Sequence, residues 1–459
     1  MDLAIPPEVG RILTALEEKG REAYVVGGCV RDSLLGQPPH DWDICTAATP
    51  QEVMECFAGE RALPTGLAHG TVTLVRQGIP YEITTFRIDG TYSDGRRPDE
   101  VVFVRDLKED LARRDFTINA MAYSPRTGIV DCFGGRKDLQ EQQIRAVREP
   151  EARFQEDGLR ILRALRFAAT YGFGVEAKTA SAARKCKNLM KNVSVERIFT
   201  EFSRLICGIG AGDVLAAFPD IIGIFLPEIL PSIGFRQEHP RHIYDIWSHT
   251  AMAISAAPPD RAVRFALLFH DLGKTNCLSQ DERGSSHFYG HEKESAILCR
   301  NALKRLRCDK NTARLAEILV QYHSVRLCPV YPPAFHPEFQ AWMKRWHKNK
   351  AVLQEMPFQI LEPGLRQARR WLNKLGEERL RQLENFTGFL ELAKATNQCY
   401  CLQDLKVSGR DLQEAGFPTG PELGRALECL LEEVVEGYLP NEREALLHRA
   451  AIIAENIIN

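Results

Sequence analysis

No apolar run in the 459 residues approaches the ~18 that a membrane span needs, so no membrane partner is expected. A secretory leader is missing too, and so is any Cys-x-x-Cys pair. Thirteen cysteines are scattered from Cys29 to Cys429, and the one close pair, Cys399 and Cys401, reads as packing rather than redox chemistry. That usage fits reduced thiols in a cytoplasmic protein and argues against a disulfide scaffold. Excess charge is likewise absent. With a net charge of −2, any nucleic-acid substrate would have to meet cations clustered locally rather than a globally basic surface. There is no internal repeat and no low-complexity tract. What remains is ordinary globular composition, 44% hydrophobic and 26% charged, with length for about three domains.

Against this background Asp41-Trp42-Asp43 stands out, about a dozen residues after Gly27-Gly28-Cys29-Val30-Arg31-Asp32. In a β-strand, side chains at i and i+2 project to one face, so the two carboxylates converge. Converging carboxylates suit hard cations such as Mg²⁺, and a pair of such ions can clamp the attacking and leaving oxygens of phosphoryl transfer. Upstream, Ala23-Tyr24-Val25-Val26 is predicted to be a buried strand running into a Gly-Gly turn, with a helix starting near Val30. Such a turn offers backbone N–H groups from Gly28 onward to phosphate, and Arg31 adds a charged fork. A D-x-D alone is more often a polar strand end; the glycine turn at this distance favours the catalytic reading.

Residues 70–75, 81–86 and 101–104 are predicted strands, and the Gly- and Asp-rich segment 89–98 a mobile loop. Glu82, mid-strand, is placed where a third carboxylate could join Asp41 and Asp43, although a solvent-facing Glu is an equal reading. In Arg113-Arg114-Asp115-Phe116-Thr117-Ile118-Asn119, Asp115 is expected to cap the helix that follows. As chemistry, Arg114 would grip a triphosphate, while Asp115 or Asn119 could accept a ribose hydroxyl.

From Glu151 onward the chain is predicted to be helical almost throughout. Residues 151–171 form one amphipathic helix, with Phe154, Gly158, Ile161, Leu162, Leu165, Ala168 and Ala169 on its apolar face. Asp157, Arg160, Arg163 and Arg166 recur every three residues as a charged ridge, and Asp157 and Arg160 are neighbours able to act on one ligand. A solvated face with an i,i+3 ion pair is the plain alternative.

The ordered set Gly27–Gly36, Asp41-Trp42-Asp43, Arg113-Arg114-Asp115 and Glu156-Asp157-Gly158-Leu159-Arg160 resembles the class II tRNA nucleotidyltransferases. These are the CCA-adding enzymes and related bacterial poly(A) polymerases of the polymerase-β-like superfamily. The resemblance covers residues 1 to about 210 and continues more loosely to the C-terminus. It implies an α+β architecture: a polymerase-β-like head with a mixed sheet (residues 1–150), then an all-α neck carrying a nucleotide-base reader (151–225), an HD-like helical domain (226–330) and a helical RNA-binding tail (331–459). It implies Mg²⁺ held in a two-ion site by Asp41 and Asp43, with Gly28, Arg31 and Arg114 on the triphosphate. Substrates would be CTP, ATP and the 3′ end and acceptor arm of tRNA. The family gives the base-reading role to the positions matched by Asp157 and Arg160. A carboxylate accepting from an exocyclic amine beside a guanidinium donating to a ring nitrogen admits C and A and rejects U and G. Arg163 and Arg166 would touch phosphate or hold the helix, and the helix around Val195–Phe202 would brace it.

Seven of twelve histidines lie between His239 and His323. His249, His270-Asp271, His287, His291 and His323 resemble an HD-type metal phosphohydrolase, with His249, His270, Asp271 and His291 as the possible divalent-metal site. That pattern normally closes with a later aspartate, and none is clearly placed here, so the expectation is a retained fold with weak or absent hydrolysis. Further on, residues 344–374 are basic with Trp342, Trp346 and Trp371 interleaved, and 405–412 and 437–441 resemble the C-terminal region of bacterial family members. Three functions remain open: CCA addition at tRNA 3′ ends, A-addition or poly(A) synthesis by the same machinery, and an HD phosphohydrolase with a nucleotide-sensing head. The full-length 89–98 loop favours CCA or A addition over CC addition.

Overall fold

The β-branched runs of the first 150 residues pair into one sheet. A computed structural model describes residues 3–90, 92, 100–237, 244–280, 286–323, 402, 405–414, 421–435 and 438–458. Strands β1 (Ala23–Val26), β2 (Ile44–Thr46), β3 (Arg61–Gly66), β4 (Thr71–Arg76), β5 (Ile79–Thr85), β8 (Met121–Ser124) and β9 (Gly128–Asp131) form a seven-stranded sheet in the order β3-β4-β5-β2-β1-β8-β9. Between them in sequence, β6 (Arg87–Asp89) and β7 (Val101–Phe103) make a separate ribbon. The β2–β5 pair is parallel while its neighbours are antiparallel, so the sheet is mixed as expected. One face, with Val25, Ile44, Val72, Leu74 and Ile83, packs on helix α1 (Pro7–Glu18) in the main core. The other, with Tyr24, Val26 and Cys45, is covered by Phe86 and by Leu107 and Leu111 of helix α4 (Leu107–Ala112).

Beyond the sheet the chain is helical. Helices α6 (Pro150–Glu156), α7 (Leu159–Tyr171), α8 (Ala177–Cys186) and α9 (Val195–Ile206) form the neck, tied to the head where Gln143–Ile144 pairs with Gly174–Val175. Helices α12 (Ile246–Ala256), α13 (Arg261–Phe269), α14 (His291–Arg305) and α15 (Lys310–Tyr322) continue the same apolar core. The expected single helix over 151–171 is two. Asp157 adopts φ −148° and ψ 108°, and its carboxylate accepts the Leu159 N–H (3.0 Å), restarting the helix one residue after Gly158. Only glycine fits at 158: a Cβ there would lie 2.9 Å from the Leu189 carbonyl.

In the C-terminal region, Leu405, Val407, Leu412, Ala426, Leu430, Leu431, Leu446 and Ala450 build a separate small core. The two motifs noted there meet, because the Lys406 N–H donates to Asn441 Oδ1 (3.0 Å). The basic, tryptophan-containing stretch 344–374 lies outside the described residues, as does most of the 89–98 loop.

Candidate active site

Three carboxylates gather at one end of the sheet because of register. In the parallel β2–β5 pair Ile44 stands opposite Ile83, so Asp43 falls opposite Glu82 one step earlier. Asp41 and Asp43 are exposed, whereas the intervening Trp42 and the following Ile44 pack into the main core. The alternation places both acids on the face opposite that core. The strand itself begins only at Ile44, which corrects the expectation that Asp41-Trp42-Asp43 lies within it: Pro38-Pro39 just upstream carry no N–H to pair. Asp43 still joins the ladder through its carbonyl, which accepts the Val26 N–H (3.0 Å). The Asp43 carboxyl is raised from its ordinary range, first by the protein packed around it and then by the negative charges of Asp41 and Glu82, with Arg114 opposing. Like charges crowded in this way are relieved by a cation placed between them.

The same ladder brings the glycine turn alongside. Gly27 follows Val26 with φ +83°, and a Cβ at that position would sit 3.0 Å from Arg114 Nη1. Arg114 is fixed from behind by Asp110, whose carboxylate is fully buried and accepts from Arg113 (2.7 Å) and Arg114 (3.3 Å). The buried Nε–H of Arg114 meets no acceptor among the described residues. A guanidinium with an unspent buried donor beside a positive-φ glycine turn is suited to an anion.

Arg31 behaves differently from the open fork expected of it. It is buried, its Nε donates to Asp32 (2.8 Å) and its Nη1 to Asn119 (2.5 Å), and its guanidinium stacks on Phe167 (5.2 Å) and Tyr171 (5.1 Å). It joins the glycine-turn helix α2 (Gly28–Leu34) to α7. Asp115 is likewise no helix cap. The short turn after it, Thr117–Asn119, starts from Phe116 without a side-chain cap. Instead Asp115 accepts two bonds from Arg163 (2.8 and 2.6 Å) and one from Asn119 (3.1 Å).

Burial alone would push the Asp115 carboxyl up, but Arg163 and the Asn119 hydrogen bond hold it down at about 2. Its folded-state pKa therefore lies below the unfolded value. The associated stability, roughly 2 kcal/mol, is complete above about pH 4 and is lost as pH falls through about 2. Urea unfolding between pH 2 and 5 should show this acid limb, and Asp115→Asn should flatten it.

Asp157 and Arg160, expected from the family resemblance to read the base, are held by partners that sequence reasoning passed over. Arg197 on α9 donates to Asp157 (2.6 Å), while Arg160 is paired with Glu156 and donates to the Arg113 carbonyl (3.3 Å). Arg197 and Glu156 both stood within motifs already singled out. Asp110, spaced three and four residues before Arg113 and Arg114 on a helix, was also a legible partner. Arg166 donates to Glu201 (2.8 Å) and lies over Phe167 at 3.5 Å, so of its two expected roles it is engaged in holding the helix. Both members of this pair are buried, so Glu201→Leu, which strands Arg166, should lower stability by about 3–5 kcal/mol in denaturant unfolding.

In the helical body, His249, His270, Asp271, His291 and His323 come together. His287 does not join them; it stacks on Tyr289 at 5.4 Å between ring centres.

Comparison with known proteins bears on the site as a whole. Residues 23–145 match the Poly A polymerase head domain, 172–215 the "Probable RNA and SrmB- binding site of polymerase A", and 371–450 tRNA nucleotidyltransferase domain 2. The CCA-adding enzyme of Lacticaseibacillus paracasei is 35% identical over 97% of this chain and 96% of its own. That of Limosilactobacillus fermentum is 49% identical over 46% of this chain and 52% of its own. Among solved structures, the Bacillus stearothermophilus CCA-adding enzyme in complex with CTP is similar with a TM-score of 0.63 and 30% identity, over 98% of both chains.

Proposed function

The chain belongs to the CCA-adding enzymes, and from that premise we propose that it rebuilds the 3′-terminal CCA of tRNA from CTP and ATP and releases pyrophosphate. The observation that carries this reading is the register that sets Asp43 beside Glu82, with Arg114 and the Gly27 turn next to them. Asp41 and Asp43, two exposed carboxylates in mutual repulsion, fit Mg²⁺ as hard-oxygen donors, with Glu82 a further candidate. When bound, Mg²⁺ would polarise the α-phosphate and raise the nucleophilicity of the RNA 3′-hydroxyl.

The chain's own side chains carry the rest. Arg114 supplies a buried N–H, and the backbone from Gly28 onward further donors, for the triphosphate, which leaves as pyrophosphate. Arg31 acts on the same site through position, since its nitrogens already donate to Asp32 and Asn119. Asp157 accepts from the exocyclic amine of cytosine or adenine, and Arg160 donates to the adjacent ring nitrogen. Uracil and guanine present the reverse pattern, an acceptor against Asp157 and a donor against Arg160. Arg197 and Glu156 fix that pair, and Asp115, Arg163, Arg166 and Glu201 fix the helix beneath it. In this reading the head, the neck with its reader, the histidine-rich body and the C-terminal helices divide the chain near residues 150, 225 and 330, and tRNA docks on the last of these. Free cysteines among the described residues are in keeping with a cytoplasmic enzyme, and no helix there is long and apolar enough to cross a membrane.

The test is incubation with tRNA ending at the discriminator base, CC or CCA. CTP alone should extend the first by C residues only. ATP alone should extend only the CC end, and both together should complete CCA and stop. Long A-tracts would favour poly(A) synthesis, and UTP incorporation comparable to CTP would count against the Asp157–Arg160 reader.

A further inference from the structure

The face of the sheet that carries the carboxylates divides beside them. Over β1 and β2 it is covered, since Tyr24, Val26 and Cys45 pack beneath Phe86, Leu107 and Leu111. Over β5, β4 and β3 it is not: among the described residues, none from these three strands joins that second core. The register shows what the uncovered half presents. Thr73 stands opposite Glu82, Thr71 opposite Thr84, Leu63 opposite Thr73 and Arg61 opposite Val75. Opposed residues share a face, and the residues alternating with them, Val72, Leu74 and Ile83, lie in the main core. One side of these strands is therefore apolar and the other is rich in threonine. Arg61, Thr65 and Glu82 are exposed, and Thr71, Thr73 and Thr84 are half-buried.

The hydroxyls on this face are paired. Thr65 Oγ1 lies 2.6 Å from Thr73 Oγ1, and Thr71 Oγ1 lies 3.1 Å from Thr84 Oγ1. Within each pair one hydroxyl donates to the other, so the second keeps its hydrogen and both keep lone pairs. Each pair thus offers an O–H donor together with acceptors. Ribose hydroxyls and phosphate oxygens match such groups, and Arg61, farther out on β3, adds a positive charge.

The reaction dictates what approaches this half of the face. In phosphoryl transfer the attacking and leaving oxygens lie roughly in line across phosphorus. The side of β1, where Arg114 and the Gly27 turn stand, is the leaving side. Because β2 lies between β1 and β5, the attacking 3′-hydroxyl enters past Asp43 from the side of β5. Strands lie ~4.8 Å apart, so Thr73 and Thr65 fall about 10–15 Å beyond Asp43. Nucleotides behind the attacking one have to run there.

We propose that the threonine face of β3, β4 and β5 is the track for the sugar–phosphate backbone of the RNA 3′ end. Thr65 and Thr73 bond ribose or phosphate oxygens behind the terminal nucleotide, and Arg61 pairs with a phosphate farther back. This rests on the nucleotide-adding reading above and assigns the RNA side of that same site. Backbone contact suits an end that grows. The discriminator base and each added C present different base edges, but the same ribose and phosphate arrive at every step.

The double variant Thr65→Val with Thr73→Val keeps the β-branched shape and removes both hydroxyls. It should raise KM for tRNA ending at CC about 10-fold, with KM for ATP and the ratio of CTP to UTP use at parent values. Thr73→Ser, which keeps a hydroxyl, should stay within about 2-fold of the parent. Binding of labelled tRNA without nucleotide, followed by fluorescence anisotropy, tests the charge. Arg61→Gln should flatten the slope of log affinity against log salt by about 0.7, one phosphate contact on a single strand. With tRNA trimmed back to its last base pair, the double variant and Arg61→Gln should both bind like the parent.

An unchanged KM for tRNA in the double variant would overturn the track, and so would a deficit that persists with the trimmed tRNA. A rise in KM for ATP equal to that for tRNA would overturn it as well. Either failure in a parent that completes CCA leaves the function standing, whereas a parent that adds neither C nor A removes the reading and the track together.

Discussion

Asp43→Asn should reduce incorporation of both CTP and ATP by roughly 10³-fold or more, with Asp41→Asn close behind, and leave the fold intact. The change is nearly isosteric and lies on exposed side chains, so packing of Trp42 and Ile44 beneath is undisturbed. What is lost is one negative oxygen where Asp41, Asp43 and Glu82 act on each other electrostatically. An amide binds a hard divalent ion far more weakly than a carboxylate, and the lost stabilisation falls on the reacting phosphorus. The loss should therefore appear in kcat, measured by single-turnover addition to a tRNA ending at CC. Because Asn removes like-charge repulsion, thermal stability without metal should hold or rise.

The second large effect concerns base choice. Asp157→Ala should relax discrimination of CTP over UTP by about 5- to 150-fold, the ~1–3 kcal/mol of one bidentate base contact. Arg197→Ala should move in the same direction by less. It removes the 2.6 Å bond that fixes Asp157 but leaves the Leu159 N–H on the other oxygen. The readout is the ratio of kcat/KM values for CTP and UTP on one tRNA, together with ATP against GTP at the last position. A uniform fall in all four would mean that Arg197 only supports the fold. Arg197→Lys, which can still donate one bond, should restore part of the ratio.

Much of this site could be read from the amino-acid sequence, for physical reasons that also explain what could not. Asp41 and Asp43 were legible because alternation around Trp42 sorts core from open face whether or not hydrogen bonds make a formal strand. Gly27 was legible because a turn into a helix needs positive φ. Asp157 and Arg160 were found by spacing, yet the spacing suggested one helix where there are two, since a close approach to Leu189 is a tertiary fact that periodicity does not carry. Arg31 and Asp115 were identified as important, and their roles were shifted. Nothing local says that Arg31 will be stacked on Phe167 and Tyr171, more than 130 residues away, or that one Asp115 oxygen will accept both bonds from Arg163. His249, His270, Asp271, His291 and His323 were grouped from the sequence by resemblance, but that they meet, and that His287 does not join them, depends on four helices folding together.

Mn²⁺ anomalous diffraction from crystals of the chain grown with a non-reactive CTP analogue tests the central assignment most directly. The expected result is manganese density against the carboxylates of Asp41 and Asp43, with the triphosphate against Arg114 and the turn at Gly27, and the cytosine edge at Asp157 and Arg160. A bound nucleotide with no metal at Asp41 and Asp43, and manganese only among the histidines around Asp271, would contradict it.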